Sequence, residues 1–289
     1  MSGFLEQIES AVHYVESRQN ADGGFCFYRY EDWGMSESNV PDTFYAVATL
    51  SIVGHSIPKK ESVVQFLRSC EPADGCFPSI TIGWSFLNAM RLLKAPLAVA
   101  PNIWLEELMH GLEVSLLNSS KMEWSGALRD MCRLLELCQV YGVVCPVRMQ
   151  TGLRRAVLML KGASGGYGWP GANLLDTGSV VRIYSLLHWG LQRSALEYAR
   201  SCEDENLGFT LAPNASNATL AVLLAGIDTV HFFNERPRYE TVLLRYLLTC
   251  QTGKGGFAPV PGALADLENT YIAFECLRAL GRLQPIGSA

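Results

Sequence analysis

Gln19-Asn20-Ala21-Asp22-Gly23-Gly24-Phe25, followed after a loop by Pro41-Asp42-Thr43-Phe44-Tyr45-Ala46-Val47-Ala48-Thr49-Leu50-Ser51-Ile52-Val53-Gly54, is the stretch on which the fold turns. The first string reads as a tight turn, with glycines for the positive φ it needs and an aromatic to pack behind it. The second reads as a helix that is apolar nearly all round, which must be buried on all sides. Before the turn, Ile8 to Gln19 has the one-sided apolar spacing of a surface helix.

This unit of amphipathic helix, glycine turn and apolar helix recurs through the chain. The second copy runs Val63 to Cys70, Asp74-Gly75-Cys76-Phe77 and Trp84 to Leu93. The third, Ile103 to Leu117 and Trp124 to Tyr141, lacks the glycine pair. The fourth is Thr151 to Leu160, Ser164-Gly165-Gly166-Tyr167 and Thr177 to Trp189. The fifth is Ala195 to Cys202, Leu207-Gly208-Phe209 and Ala218 to Ala225. The sixth is Tyr239 to Cys250, Lys254-Gly255-Gly256-Phe257 and Thr270 to Leu280. Six helix pairs fill residues 1–289 and leave no segment for a second domain. An all-α (α/α)6 toroid is expected, amphipathic helices outside and apolar helices inside. An open solenoid is disfavoured, because there neither helix of a pair is usually apolar all round. Asp42, Asp176, Asn217 and Asn269 are expected as N-caps of inner helices.

The totals agree with a large core: 49% apolar and 18% charged residues in 289. A net charge of −5 without a basic block argues against nucleic acid as partner. No apolar run is long enough for a membrane span. The opening residues, with Glu6, Glu9 and Glu16, do not read as a signal peptide, so a cytoplasmic location is expected. On that basis most of the nine cysteines, Cys70, Cys132, Cys138, Cys202, Cys250 and Cys276, read as small buried residues, and the sequons at Asn118, Asn214 and Asn217 as chance matches.

The two opening strings, Asp176-Thr177-Gly178, and Asp266-Leu267-Glu268-Asn269-Thr270-Tyr271 leading to Leu280-Gly281 resemble the β subunits of the protein prenyltransferases. More loosely, the repeats resemble squalene–hopene and other terpenoid cyclases. The resemblance spans almost the whole chain and is weakest over residues 96–150. It implies a toroid whose central cavity takes an isoprenoid. In the prenyltransferases it also implies a zinc held by an Asp-x-Cys pair and a His. Here Asp176 matches the Asp, but Gly178 stands for the Cys and Asn269 for the His. A catalytic zinc needs three protein ligands, so no zinc cofactor is expected. The cations that the family sets before the Asp are missing from Gly168–Leu175, and Glu123-Trp124-Ser125 replaces its His-Gly-Gly. Arg154, Arg155 and Lys161 fall on an outer helix and read as surface. The Asp-x-Asp-Asp acid of the cyclases is also missing, Asp42 alone remaining in Asn39-Val40-Pro41-Asp42.

Three readings result. In the first, a zinc-independent enzyme holds an apolar isoprenoid in an aromatic-lined cavity and cyclises or isomerises it by acid–base chemistry. Its carboxyls are Asp42, Asp176, Asp266 or Glu268, and its lining residues Phe44, Tyr45, Trp84, Trp124, Trp169, Tyr184, Tyr271 and Phe274. An acid of this kind needs burial and like-charged neighbours to keep its proton. In the second, a toroid that has lost catalysis binds a lipid or a protein. In the third, a divergent prenyltransferase β-like subunit works with an α-type subunit; a homodimer is the other assembly considered. For each single aromatic, plain helix packing competes with a lining role, and for Asp42 and Asp176 so does helix capping.

Overall fold

The computed structural model describes residues 2–27, 37–115 and 120–283; the Asn118 sequon and the end of the helix expected over Ile103–Leu117 lie outside them. Among the described residues twelve α-helices follow in pairs: α1 (Ser2–Glu16) and α2 (Val40–Ile52), α3 (Lys60–Ser69) and α4 (Ile80–Leu93), α5 (Asn102–Ser115) and α6 (Lys121–Tyr141), α7 (Val147–Met159) and α8 (Leu174–Leu186), α9 (Ser194–Ser201) and α10 (Leu220–Phe232), α11 (Glu240–Thr249) and α12 (Leu267–Ala279). The only strands described are the two-residue antiparallel pair β1 (Glu203–Asp204) and β2 (Gly208–Phe209), in the turn of the fifth repeat.

Two compact units divide the chain: residues 1–99 with 244–289, and residues 100–243. In the first, α2 is flanked by α4 and α12; in the second, α8 is flanked by α6 and α10. The even-numbered helices are thus the inner ones. Helix α2 buries ten of its thirteen residues, among them Phe44, Tyr45, Val47 and Leu50, whereas outer α3 buries only Val63 and Leu67.

Helices α2, α8 and α12 begin about one turn earlier than the sequence reading places them, and α10 begins two residues later. The N-caps are Asn39, Asn173, Thr219 and Asp266, not Asp42, Asp176, Asn217 and Asn269. Asn39 Oδ1 accepts the Asp42 N–H at 2.8 Å, Asn173 Oδ1 that of Asp176 at 2.9 Å, and Asp266 Oδ1 that of Asn269 at 2.5 Å. Asp42, Asp176 and Asn269 therefore stand at the third helical position. The reading failed because Thr43, Thr177 and Thr270, taken as first helical residues, are buried inside the first turn. Each donates its hydroxyl to the carbonyl of the cap four residues back, at 2.7, 2.7 and 2.6 Å. Each also accepts the backbone N–H of the turn aromatic, Phe25, Tyr167 or Phe257, at 3.0, 2.9 and 3.0 Å. One side chain so ties the glycine turn to the start of the inner helix, three times over.

The glycine pairs do more than reverse the chain. Gly23, Gly165 and Gly255 have φ of 93°, 90° and 95°, and each lies directly on the backbone of a serine in an outer helix: Ser62, Ser194 and Ser10. Four residues further along those helices, Phe66, Tyr198 and Tyr14 cover Gly24, Gly166 and Gly256, where an added methyl group would overlap the ring. The third contact joins the last repeat to the first. It is reinforced by Gln251, whose amide donates to the Gln7 carbonyl at 2.7 Å. In an open solenoid the first and last repeats do not meet, so that alternative is ruled out.

Helix α6 departs from the expectation of an apolar inner helix. It opens with a capping box, Ser120 and Glu123 exchanging hydrogen bonds, and it carries Arg129, Asp130, Arg133 and Glu136. Its contact with α8 is a polar seam: Ser125 to Asp176, Cys132 Sγ to the Ser179 carbonyl at 3.3 Å, and Arg182 to Glu136 at 2.7 Å.

Candidate acid and aromatic site

The first turns of α2 and α12 lie side by side and bring three carboxyls together. Asp42 is 8% exposed. Its Oδ2 accepts the Asn39 amide at 2.6 Å, and the Phe27 backbone also hydrogen-bonds its carboxyl. Asp266 accepts the Asn269 backbone at Oδ1 and the Asn269 amide at Oδ2, 2.7 Å away. The same amide–carboxyl clamp is thus built in both orders, Asn at the cap and Asp at the third position in α2, the reverse in α12. Burial pushes the Asp42 carboxyl above the usual range, and the charges of Asp266 and Glu268 add to it against the opposing hydrogen bonds. Burial likewise raises Asp266, with Glu268 contributing, against the donors from Asn269.

One helical turn deeper lies an aromatic layer. Tyr45 follows Asp42 by three residues and Tyr271 follows Glu268 by three, so each ring is on the face of its carboxyl, roughly 4.5 Å along the axis. The two tyrosine rings are 5.6 Å apart, and Phe44 lies 4.6 Å from Trp84, 5.4 Å from Tyr45 and 5.6 Å from Tyr271. The edge-on ring of Phe44 against Trp84 is a favourable quadrupole arrangement. Of the aromatics singled out in sequence, these four form one cluster. Phe274 instead packs edge-on to Phe257, the aromatic of its own turn, at 6.3 Å.

The other candidates stand in the second unit. Asp176 accepts the Ser125 hydroxyl and, at 2.9 Å, the Asn173 amide. Trp124 is buried, and its indole N–H meets no acceptor among the described residues. Tyr184 is buried edge-on to Trp189 at 5.3 Å. Trp169 is 45% exposed, with the Lys121 ammonium 5.8 Å above its ring. Arg154 and Arg155 are exposed on α7, as expected, the Arg154 guanidinium lying 5.1 Å over Trp189, whereas Lys161 falls past the end of that helix and is half-buried.

The residues do not fit the zinc of the prenyltransferases. Asp176 is engaged by a hydroxyl and an amide, and a side chain at Gly178 would meet the Ala225 Cβ on α10 at 2.8 Å. Asn269 spends its amide on Asp266. Among the described residues no group of three or more His, Cys, Asp or Glu is placed to hold a metal ion. No described helix is long and apolar enough to cross a membrane.

Sequence reading missed two features: the α6–α8 seam and Tyr14. The second carried a signal, Ser10-x-x-x-Tyr14, Ser62-x-x-x-Phe66 and Ser194-x-x-x-Tyr198 on three outer helices. Tyr14 covers Gly256 and donates to the Ala265 carbonyl at 2.9 Å.

Compared with known proteins, residues 4–106 and 191–287 match the family described as the prenyltransferase alpha-alpha toroid domain. The chain is 23% identical over 253 residues to the geranylgeranyl transferase type-1 subunit beta of Arabidopsis thaliana. The match covers 84% of this chain and 59% of that subunit, so the chain spans less than two thirds of the relative's length. Among solved structures it resembles the type II terpene cyclase MstE from Scytonema without ligand, at TM-score 0.62 and 11% identity, over 97% of this chain and 98% of that one. It also resembles a variant of MstE in complex with geranylgeranyl dihydroxybenzoate, at TM-score 0.61 and 12% identity, over 96% and 97%. At such identities the likeness is one of fold, the α/α toroid.

Proposed function

The chain belongs to the prenyltransferase α/α toroid family, and from that premise we propose that it is a zinc-independent enzyme that cyclises or isomerises an isoprenoid by protonating a carbon–carbon double bond. The observation that carries this reading is the carboxyl layer over the aromatic layer, Asp42, Asp266 and Glu268 above Phe44, Tyr45, Trp84 and Tyr271. Asp42 is the proton donor. Its carboxyl is the most enclosed of the three, and both of its neighbours are anionic, which favours the protonated form. Asp266 is held on both oxygens by N–H donors, the arrangement of an ionised cap. It and Glu268 supply the negative field.

In the reaction the Asp42 O–H bond breaks as its proton adds to one alkene carbon, and the π electrons leave a cation at the other. A second double bond of the substrate closes the ring, or none does; a proton then leaves carbon and returns to the Asp42 carboxylate as the C–H electrons restore an alkene, so the substrate is isomerised with no co-reactant. The ring faces stabilise the cation through their quadrupoles. Asp176 with Ser125 stands in the second unit and takes no step in this scheme. Trp124, Trp169, Tyr184 and Phe274 are packing or surface residues in it.

The test is incubation with C10 to C30 polyprenyl alcohols and their esters in the presence of a metal chelator, with product analysis by mass and retention time. Products of unchanged mass are expected, and Asp42→Asn should lower their formation by at least about a hundredfold. Full activity in that variant overturns the assignment of the acid, and activity abolished by the chelator overturns the metal-free scheme. The likeness to a β subunit favours a second reading, a β-like subunit that needs an α-type partner. It predicts no turnover by the chain alone and a stable heterodimer on co-expression.

A further inference from the structure

In three repeats the residue just before the inner-helix cap is tethered from outside the helix, by two means. In the first, Ser38 accepts the Asn20 amide at 2.9 Å and donates to Asp22 at 2.8 Å. In the fourth, the Tyr198 hydroxyl donates to the Ala172 carbonyl at 2.7 Å, and in the sixth the Tyr14 hydroxyl donates to the Ala265 carbonyl at 2.9 Å. Tyr14 and Tyr198 are thus equivalent in the repeat. Phe66, at the same place over Gly24, has no hydroxyl.

Tyr14 and Tyr198 differ in the residue that comes after the tethered carbonyl. Behind Ala172 stands Asn173, a neutral cap. Behind Ala265 stands Asp266, a member of the carboxyl layer. We propose that Tyr14 is a positioning residue for the acid site: by pinning the Ala265 carbonyl, its hydroxyl fixes the place of the Asp266 carboxyl beside Asp42 and keeps water from that corner. The inference takes its functional meaning from the acid reading above. The groups that face the layer support a direct link. Helix α1 contributes Tyr14, and the turn after it Arg18, 4.5 Å over the Tyr14 ring; α2 contributes Asp42; α12 and its cap contribute Glu268 and Asp266. Helix α4 brings only Arg91, in its last turn. Tyr14 is itself pushed up to about 12, by burial first, with the Asp266 and Asp42 charges adding and Arg18 opposing. The hydroxyl therefore stays a donor across the range in which the carboxyls titrate.

Carboxyl carbon NMR on the full chain, labelled at aspartate, tracks Asp42 and Asp266 through pH without any substrate. Tyr14→Phe removes only the hydroxyl, and Phe66 shows that the scaffold accepts phenylalanine over a glycine. Water then reaches the layer, and both midpoints are expected to fall toward the ordinary carboxylate value, by about 0.5 pH unit or more. Tyr198→Phe removes the equivalent bond away from the layer and should leave both midpoints in place. Unchanged midpoints in Tyr14→Phe, or equal shifts in both variants, overturn the proposal. Should Tyr14→Phe fail to fold, 3-fluorotyrosine at position 14, a stronger donor, should raise the midpoints, and the absence of any change then overturns it. Failure of the acid reading would be seen separately, as full turnover by Asp42→Asn with these midpoints behaving as described.

Discussion

At the residue scale the decisive feature is that burial raises the Asp42 and Asp266 carboxyls above the usual range against their own hydrogen bonds. Each accepts N–H donors, which favour the ionised form, yet burial and the neighbouring charges raise both. A carboxyl raised in the folded chain contributes stability that is complete below its unfolded value, about 4, and is lost as pH rises through its folded value. Asp42→Asn and Asp266→Asn remove that loss. The stability of each variant relative to the unaltered chain should therefore grow as pH is raised from about 4 to 7, as urea unfolding at a series of pH values would record. A difference independent of pH would mean that the carboxyl titrates alike in the folded and unfolded chain. That Asp42 mattered was legible in the sequence from its place before a buried helix. Its distance from Asp266 was not, since more than two hundred residues separate them.

At the element scale the recurring threonine does more than the caps. Thr43, Thr177 and Thr270 are fully buried, each closing two backbone groups. Valine keeps the shape and loses the hydroxyl, leaving the N–H of the turn aromatic buried without a partner. Each Thr→Val change should cost about 2 kcal/mol, measured by denaturant unfolding, whereas the surface capping box of Ser120 should cost less than about 1 kcal/mol on change to alanine. Equal effects would assign the threonine no special role. Helix order and type were legible from apolar spacing, but the starts of α2, α8 and α12 were misplaced by one turn. Asp and Asn serve equally well at the cap and at the third position, and only the hydrogen bonds decide between them. The charged α6 was harder to read, because Ser125, Cys132 and Glu136 are satisfied by α8, a partner whose contact no local pattern encodes.

At the scale of the whole molecule the first unit is completed only when the chain returns from the second, with Gly255 and Gly256 set on Ser10 and Tyr14. We propose that residues 1–289 form one folding domain, and calorimetry should then record a single transition. Gly256→Ala, whose methyl group would overlap the Tyr14 ring, should lower the whole of that transition by about 1–3 kcal/mol. Two separate transitions, only one of them moved by the change, would make the units independent domains.

The repeat, the helix pairing and the glycine and asparagine at positions 178 and 269 were determined by the sequence alone, because each depends on local spacing and residue type. Which carboxyls meet, which aromatics cluster and which tyrosine holds a cap were decided only by the tertiary structure. These depend on the last repeat packing on the first, and the physical cause of that contact is spread over glycines, serines and tyrosines at opposite ends of the chain. The same α2–α12 contact buries Asp42 beside Asp266, two residues that local spacing alone would assign to the start of a helix.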